Sequence, residues 1–308
     1  MTKSAMVFGS FVVDLMSRTP HLPKPGETVK GLDFTMGPGG KGFNQCVACH
    51  KAGAKVQMMT KLGQDSFSRV CLDTMEELGM DKKLIISTDK YSTGTAIIMV
   101  DENTAENQIV VVPSACTKIS DEEVESIRDT LKNCDYVLTQ LETNLSAVEK
   151  LVEISKDTGT KVILNTAPIQ KFKEEMLRDI YMVTPNEIEA EILTGVKVED
   201  LESANKASKW FIDRGVKKVI ITLGKRGVFV FDGEKSKILP AYKVEAIDTT
   251  GAGDAFNGGL LAALTEGKDL WEACEFGNAV GALSVQKLGT TPSMPTKEEV
   301  LQFMEENQ

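Results

Sequence analysis

No apolar run in the 308 residues is long enough to cross a bilayer: the N-terminal stretch MTKSAMVFGSFVVDLM is interrupted by Asp14 and carries no cleavage pattern. It reads as a first buried strand, and a cytoplasmic protein without a membrane partner is expected. Positive charge is also scarce. With 35 Lys and Arg against 45 Asp and Glu the formal net charge is −10, and no basic patch offsets it, which speaks against a nucleic-acid surface. The P-loop pattern G-x-x-x-x-G-K-[ST] occurs nowhere, so a bound nucleotide must be held by another device. Six cysteines without a secretory signal read as reduced thiols rather than a disulfide framework. Residues 46–50 spell CxxCH, the c-type haem attachment pattern. Their setting in QCVACHKAG, a helix middle that packs small residues inward, and the missing export signal favour core cysteines over a haem carrier.

What is present is the alternation of an α/β protein. Strand-like apolar runs stand at 5–9, 56–62, 136–141, 162–165, 181–184, 219–222 and 228–231. Between them, 65–78, 121–131, 145–156 and 203–214 carry apolar residues at helical period. Strand then helix, repeated, predicts a doubly wound, mostly parallel central sheet flanked by helices, with 1–308 forming a single domain. Two segments break the rhythm. Residues 12–38 contain Pro20, Pro23, Pro25 and Gly26, and residues 94–112 read as two strands joined by the polar turn DENTAE. Both are read as β excursions that form a small lid or, equally well on pattern alone, a solvated edge hairpin.

Two glycine clusters compete for a phosphate site. GPGGKG at 37–42 fits GxGxxG with Asp65 beyond it, which would suit an NAD(P)-binding oxidoreductase, but it lies some thirty residues after the first strand and behind the proline-broken segment. The stronger candidate is AIDTTGAGDAFNGG at 246–259. If 252–265 is a helix, the N–H groups of Gly251, Ala252, Gly253 and Asp254 form an anion nest at its positive end. Asp254 then stands where a hydroxyl would approach phosphorus in line and can accept its proton. The same residues also suit a tight turn with an aspartate that favours a helix start.

DTTGAGDAF, together with GGKGFNQ near residue 40, TPNEIEAE at 184–191 and ITLGKRGV at 221–228, resembles the ribokinase family of sugar kinases, in order from Val7 to Pro295. The resemblance implies ATP, Mg²⁺ and an activating K⁺ as cofactors, a small sugar as substrate, and a homodimer whose β lids clasp. By resemblance, Asp254 is the catalytic base and Gly251, Ala252 and Gly253 its anion hole; Asp14, Gly40, Lys41, Asn44 and Glu142 contact sugar hydroxyls. Asn186, Thr222, Gly224, Gly227 and Asn278 match the nucleotide site, Glu189 a hydrated Mg²⁺, and Asp248, Thr250, Gly289 and Ser293 a monovalent-cation site whose oxygen donors suit a hard cation. Three departures bear on the substrate: Val12 stands where bacterial members have asparagine, Phe43 where they have alanine, and PSAC at 113–116 replaces Gly-Ala-Asn. Ribose remains the first expectation, with deoxyribose, a ketohexose or a nucleoside stacked on Phe43 as alternatives.

Overall fold

The computed structural model describes residues 4–104 and 106–307. The chain starts with β1 (Ala5–Phe8), leaves the main layer through β2 (Val12–Thr19) and β3 (Asp33–Gly39), and returns with α1 (Lys41–Lys51), β4 (Val56–Gly63), α2 (Ser66–Glu77) and β5 (Ile85–Thr88). A second departure is made by β6 (Gly94–Asp101) and β7 (Asn107–Val112). There follow α3 (Asp121–Glu125), α4 (Arg128–Leu131), β8 (Tyr136–Thr139), α5 (Leu145–Thr158), β9 (Lys161–Leu164), β10 (Met182–Val183), α6 (Glu187–Thr194) and α7 (Leu201–Ile212). The chain closes with β11 (Lys218–Thr222), β12 (Val228–Phe231), β13 (Ser236–Leu239), α8 (Ala252–Thr265), α9 (Leu270–Ser284) and α10 (Lys297–Glu306).

The main sheet runs β13-β12-β11-β10-β9-β8-β1-β4-β5, parallel from β11 to β5 with an antiparallel edge at β12 and β13. All four residues of β1 are buried, and their alternation divides them between two cores. Ala5 and Val7 join the side holding Phe43, Leu260 and Val280, while Met6 and Phe8 join the side holding Leu151 and Phe211. A strand buried on both faces is what the continuous apolar runs imply. The two β excursions form a separate four-stranded sheet, β3-β2-β6-β7, in which the β2–β6 pair is parallel. The proline cluster lies in the connection between β2 and β3, where no ladder hydrogen bond is lost.

Some expectations need correction. The helix at 121–131 is two short helices, because the Ser126 hydroxyl donates to the Glu123 carbonyl and the chain tightens, with the Ile127 N–H donating to Val124. The edge strands β5 and β13, short and only partly buried, carry too little apolar pattern to stand out. GPGGKG ends a strand of the small sheet rather than the main one, so it is not a dinucleotide turn, and Asp65 is the N-cap of α2, accepting from Ser68 and Thr93. Cys46 and Cys49 are free, fully buried thiols, and the His50 ring is bonded to the Leu78 carbonyl, which leaves no haem pattern to serve.

Helices α1 and α8 cross closely. A Cβ on Gly258 would stand 2.6 Å from the Gln45 carbonyl oxygen and 2.4 Å from the Ala48 Cβ, so only glycine permits this approach.

Candidate active site

The strands from β1 to β11 are parallel, so their carboxyl ends open on one side of the sheet, where open α/β folds place ligands. Each delivers polar residues there: Ser10 after β1, Gln140 and Glu142 after β8, Asn165 and Thr166 after β9, Thr184 and Asn186 after β10, and Thr222 ending β11. The amino end of α8 is brought to the same place. Thr184 Oγ1 donates to Asn257 Oδ1 (2.7 Å), and Asn257 Nδ2 donates to the Gly253 carbonyl (2.8 Å).

Between these groups lies a cleft of 180 Å³ lined by Lys41, Asn186, Glu189 and Thr222 on one side and Gly251, Ala252, Gly253 and Asp254 on the other. Gly251 has φ 75°, a left-handed N-cap that turns the chain into α8. Gly253 is different. It is helical, and a Cβ there would meet nothing within 4 Å, so the fold itself does not require a glycine that lowers helix propensity by about 1 kcal/mol. The absent side chain leaves the first-turn N–H groups open to the cleft. A larger hollow of 440 Å³ at the amino ends of β10 and β11 shares no residue with this cleft, and its Arg214 is already paired with Glu174.

Asp254 is only 5% exposed. Oδ2 accepts from Asn44 Nδ2 (3.2 Å) and Oδ1 from Gln45 Nε2 (2.9 Å). The Lys41 ammonium is held above the ordinary lysine range: the Asp254 charge raises it, burial opposes, and Glu142 and Glu189 add to the rise. A lysine among three carboxylates keeps its charge inside the cleft. Glu142 ties the start of α1 to the end of β1, accepting from Ser10 Oγ and from the Lys41 N–H (2.9 Å). Asp14, on β2 opposite Gly37, is pushed up to about 6 by burial and by the Glu142 charge. Gly40 caps α1 with φ 90°.

Glu189 and Asn186 form a capping box at α6: Glu189 N–H donates to Asn186 Oδ1, and Asn186 N–H to Glu189 Oε2. Thr166 Oγ1 also donates to Oε2 (3.0 Å) and Asn186 Nδ2 to Oε1 (2.9 Å), so Glu189 is crowded yet still faces the cleft. Such a carboxylate suits a water of a hydrated Mg²⁺ better than the ion itself. Asp248 bridges two loops beside Gly251. It accepts from the Thr250 N–H (2.9 Å) and the Gly289 N–H (3.0 Å). Burial pushes its carboxyl up, and these bonds together outweigh that and hold it below the ordinary range. Ser293 is buried close by in the same loop, its hydroxyl donating to the Thr290 carbonyl. Gly224 and Gly227, in the turn after β11, and Asn278, which donates to the Pro240 carbonyl at 3.4 Å, do not line the cleft.

Residues 2–297 match the pfkB family carbohydrate kinase. The chain belongs to that family. The kinase is similar to a ribokinase of Haemophilus influenzae, 44% identical with 99% of both chains covered. It is also similar to a deoxyribokinase of Salmonella typhi, 33% identical over 98% of this chain and 99% of that one. A solved structure of Arabidopsis thaliana ribokinase complexed with ribose and ATP superposes with a TM-score of 0.92 at 30% identity, covering 99% of each chain.

The three departures now have positions in the kinase. Val12 pairs with Gly39 and Gly94 and shares the Asp14 face of β2, its side chain lying over Gly94. Phe43 does not face a pocket: it is fully buried, edge-on to Phe11 at 5.1 Å, so stacking of a nucleoside base on it is ruled out. In PSAC, the Cys116 thiol donates to the Phe11 carbonyl (2.9 Å) and accepts from its N–H (3.3 Å), clamping the segment between β1 and β2.

Sequence reasoning missed Ser10, Gln45, Gln140, Asn165, Thr166, Thr184 and Asn257. A usable signal existed, since Ser10, Gln140, Asn165 and Thr184 each follow the last residue of a buried strand closely.

Proposed function

We propose that this carbohydrate kinase is a ribokinase, transferring the γ-phosphoryl group of ATP to the primary hydroxyl of D-ribose. The observation that carries the reading is the pairing of a buried Asp254 with the open Gly253 turn: a proton acceptor and an anion nest set side by side at one helix start. Lys41 supplies the positive charge for the phosphoryl group in flight, and the whole chain acts as one catalytic domain. Asp14, Gly40, Asn44 and Glu142 bind the sugar. Asn186, Thr222, Gly224, Gly227 and Asn278 serve the nucleotide, and Glu189 holds a water of Mg²⁺, whose chemistry is to neutralise phosphate charge. The small sheet closes over the sugar as a lid and excludes water.

Ribose is favoured by the 44% identical relative named ribokinase and by the ribose and ATP complex of the Arabidopsis protein. One observation favours deoxyribose as a second reading: Val12 puts an apolar side chain on the Asp14 face, where a sugar hydroxyl would find no partner. ADP release against ribose, deoxyribose, fructose, tagatose and a nucleoside set decides between them. We expect ribose to lead in kcat/KM by about tenfold, which is about 1.4 kcal/mol. A lead for deoxyribose or a ketohexose by that margin would overturn the name. Val12→Asn is the control, expected to raise the preference for ribose over deoxyribose; an unchanged ratio would mean that Val12 does not touch the sugar.

A monovalent cation, K⁺, is proposed beside the nest at Asp248, Thr250, Gly289 and Ser293, where the donors are oxygens and Asp248 already joins the two loops. Activity should rise when K⁺ replaces Na⁺ or Tris at constant ionic strength, and Asp248→Ala should erase that response. Equal rates in all three buffers remove the ion.

On the face of the small sheet opposite Asp14, Phe34, Met36, Ile97, Val110 and Val112 are exposed, and every residue of β7 is exposed. An apolar face of this extent calls for a cover, and a second copy of the same sheet supplies one, giving a homodimer. Sedimentation should find twice the 33.6 kDa chain mass, and Val110→Lys with Val112→Lys, on that same face, should return the monomer. A monomeric parent protein would exclude the dimer. Among the described residues no helix is long and apolar enough to span a membrane, and the six free thiols suit the reducing cytoplasm proposed here.

A further inference from the structure

Among the described residues two side chains bond the Asp254 carboxylate, and of these Gln45 is fully buried and does not line the cleft. Its neighbour Asn44 also donates to Asp254 but is needed for the sugar in the reading above, so its bond must be shared when the site fills. Gln45 has no such second duty. Nε2 donates to Asp254 Oδ1 (2.9 Å) and to Asn165 Oδ1 (3.1 Å), while Oε1 accepts from Gln140 Nε2 (2.6 Å). Asn165 in turn donates to the Thr184 carbonyl (2.9 Å). Gln140 from the end of β8 and Asn165 from the end of β9 thus hold Gln45 of α1, which carries the bond to the carboxylate on α8.

The direction of this chain of amides is dictated by its end. An ionised carboxylate only accepts, so Gln45 must turn its NH₂ to Asp254 and its oxygen to Gln140, which must then donate. Gln140 Oε1 is left buried without a partner among the described residues, and flipping that amide would set two oxygens against each other. A network that keeps its direction at such a site is fixed by what it holds.

We propose that Gln45 is a positioning residue for phosphoryl transfer: anchored by Gln140 and Asn165, it fixes the plane of the Asp254 carboxylate so that a free lone pair meets the incoming hydroxyl. This rests on Asp254 being the proton acceptor. The test is Gln45→Met, which keeps the length and removes both polar atoms, assayed alone and together with Asp254→Asn. Turnover should fall about 10- to 100-fold from the loss of orientation, with KM for ribose and ATP within about threefold. In the Asp254→Asn background the same change should have no further effect, because Gln45 acts only through that carboxylate. An unfolded Gln45→Met protein, read by circular dichroism, is replaced by Gln45→Asn, too short to span, with the same expectations. Turnover within about threefold of the parent, or an equal fractional loss in both backgrounds, would overturn the proposal. If Asp254→Asn alone leaves turnover near the parent value, the underlying base assignment fails instead.

Discussion

Asp254→Asn should lower turnover by about 10²–10⁴, the range for a positioned proton acceptor, with ribose affinity changed far less. The substitution keeps the shape of the side chain; its oxygen can accept from Gln45 (2.9 Å), while its NH₂ faces Asn44 (3.2 Å), whose amide must flip to accept it. What it removes is the ability to take a proton from the attacking hydroxyl, along with the charge that holds Lys41 above its ordinary range. The loss therefore belongs in kcat. Single-turnover rates of ADP formation separate it from product release. A variant within a few-fold of the parent would leave the GAGD turn as a structural cap.

Asp14→Asn should weaken the sugar step and strengthen the fold. Its carboxyl is raised from 3.8 to about 6 by burial first and by Glu142 second. Because the folded value lies above the unfolded one, the folded state keeps a proton between those limits that the unfolded chain releases. Stability is lost as pH rises through that window. At pH 7.5 the ionised, half-buried group therefore burdens the fold by about 1–3 kcal/mol, at 1.36 kcal/mol per pH unit and allowing for residual hydration. Asparagine cannot ionise, so urea midpoints should favour the variant at pH 7.5 and converge with the parent below the unfolded value of 3.8. Loss of a hydrogen bond to a charged acceptor should meanwhile cut kcat/KM for ribose about 10- to 100-fold. In the parent enzyme the same quantity should fall as pH drops through about 6. A variant less stable at pH 7.5 would show that the carboxylate is compensated by partners in the fold.

How much of this was readable in advance depended on sequence distance. The run Met6–Val7–Phe8 and the helix opening at Ala252 announced themselves because their evidence is contiguous: buried strands are apolar throughout, and small residues before an aspartate mark a helix start. The two β excursions were legible from prolines and alternation for the same reason. Gln45, Gln140 and Asn165 were not, although Gln45 sits within GGKGFNQ. Their partners are up to 209 positions away, and a glutamine acquires a role only when strand ends converge. Phe43 erred in the other direction. An aromatic inside a polar motif looked like a ligand contact, whereas α1 turns it onto Phe11 in the core. Gly224 and Gly227, in the turn after β11, and Asn278 on α9 sit outside the cleft, and resemblance alone connects them to a nucleotide.

The crossing of α1 over α8 at Gly258 has a bearing on how such a kinase can change. The contact is of one main chain with another, a turn beyond Asp254 and level with Gln45, so no exchange of side chains elsewhere can make room for a larger residue there. Asp254 and the α1 residues that bond it therefore descend together or fail together. Under the proposed reading, variation in substrate can enter from the small sheet, where Val12 and Asp14 present side chains rather than backbone. The division makes the chemistry heritable as a block and leaves the choice of sugar open to single substitutions.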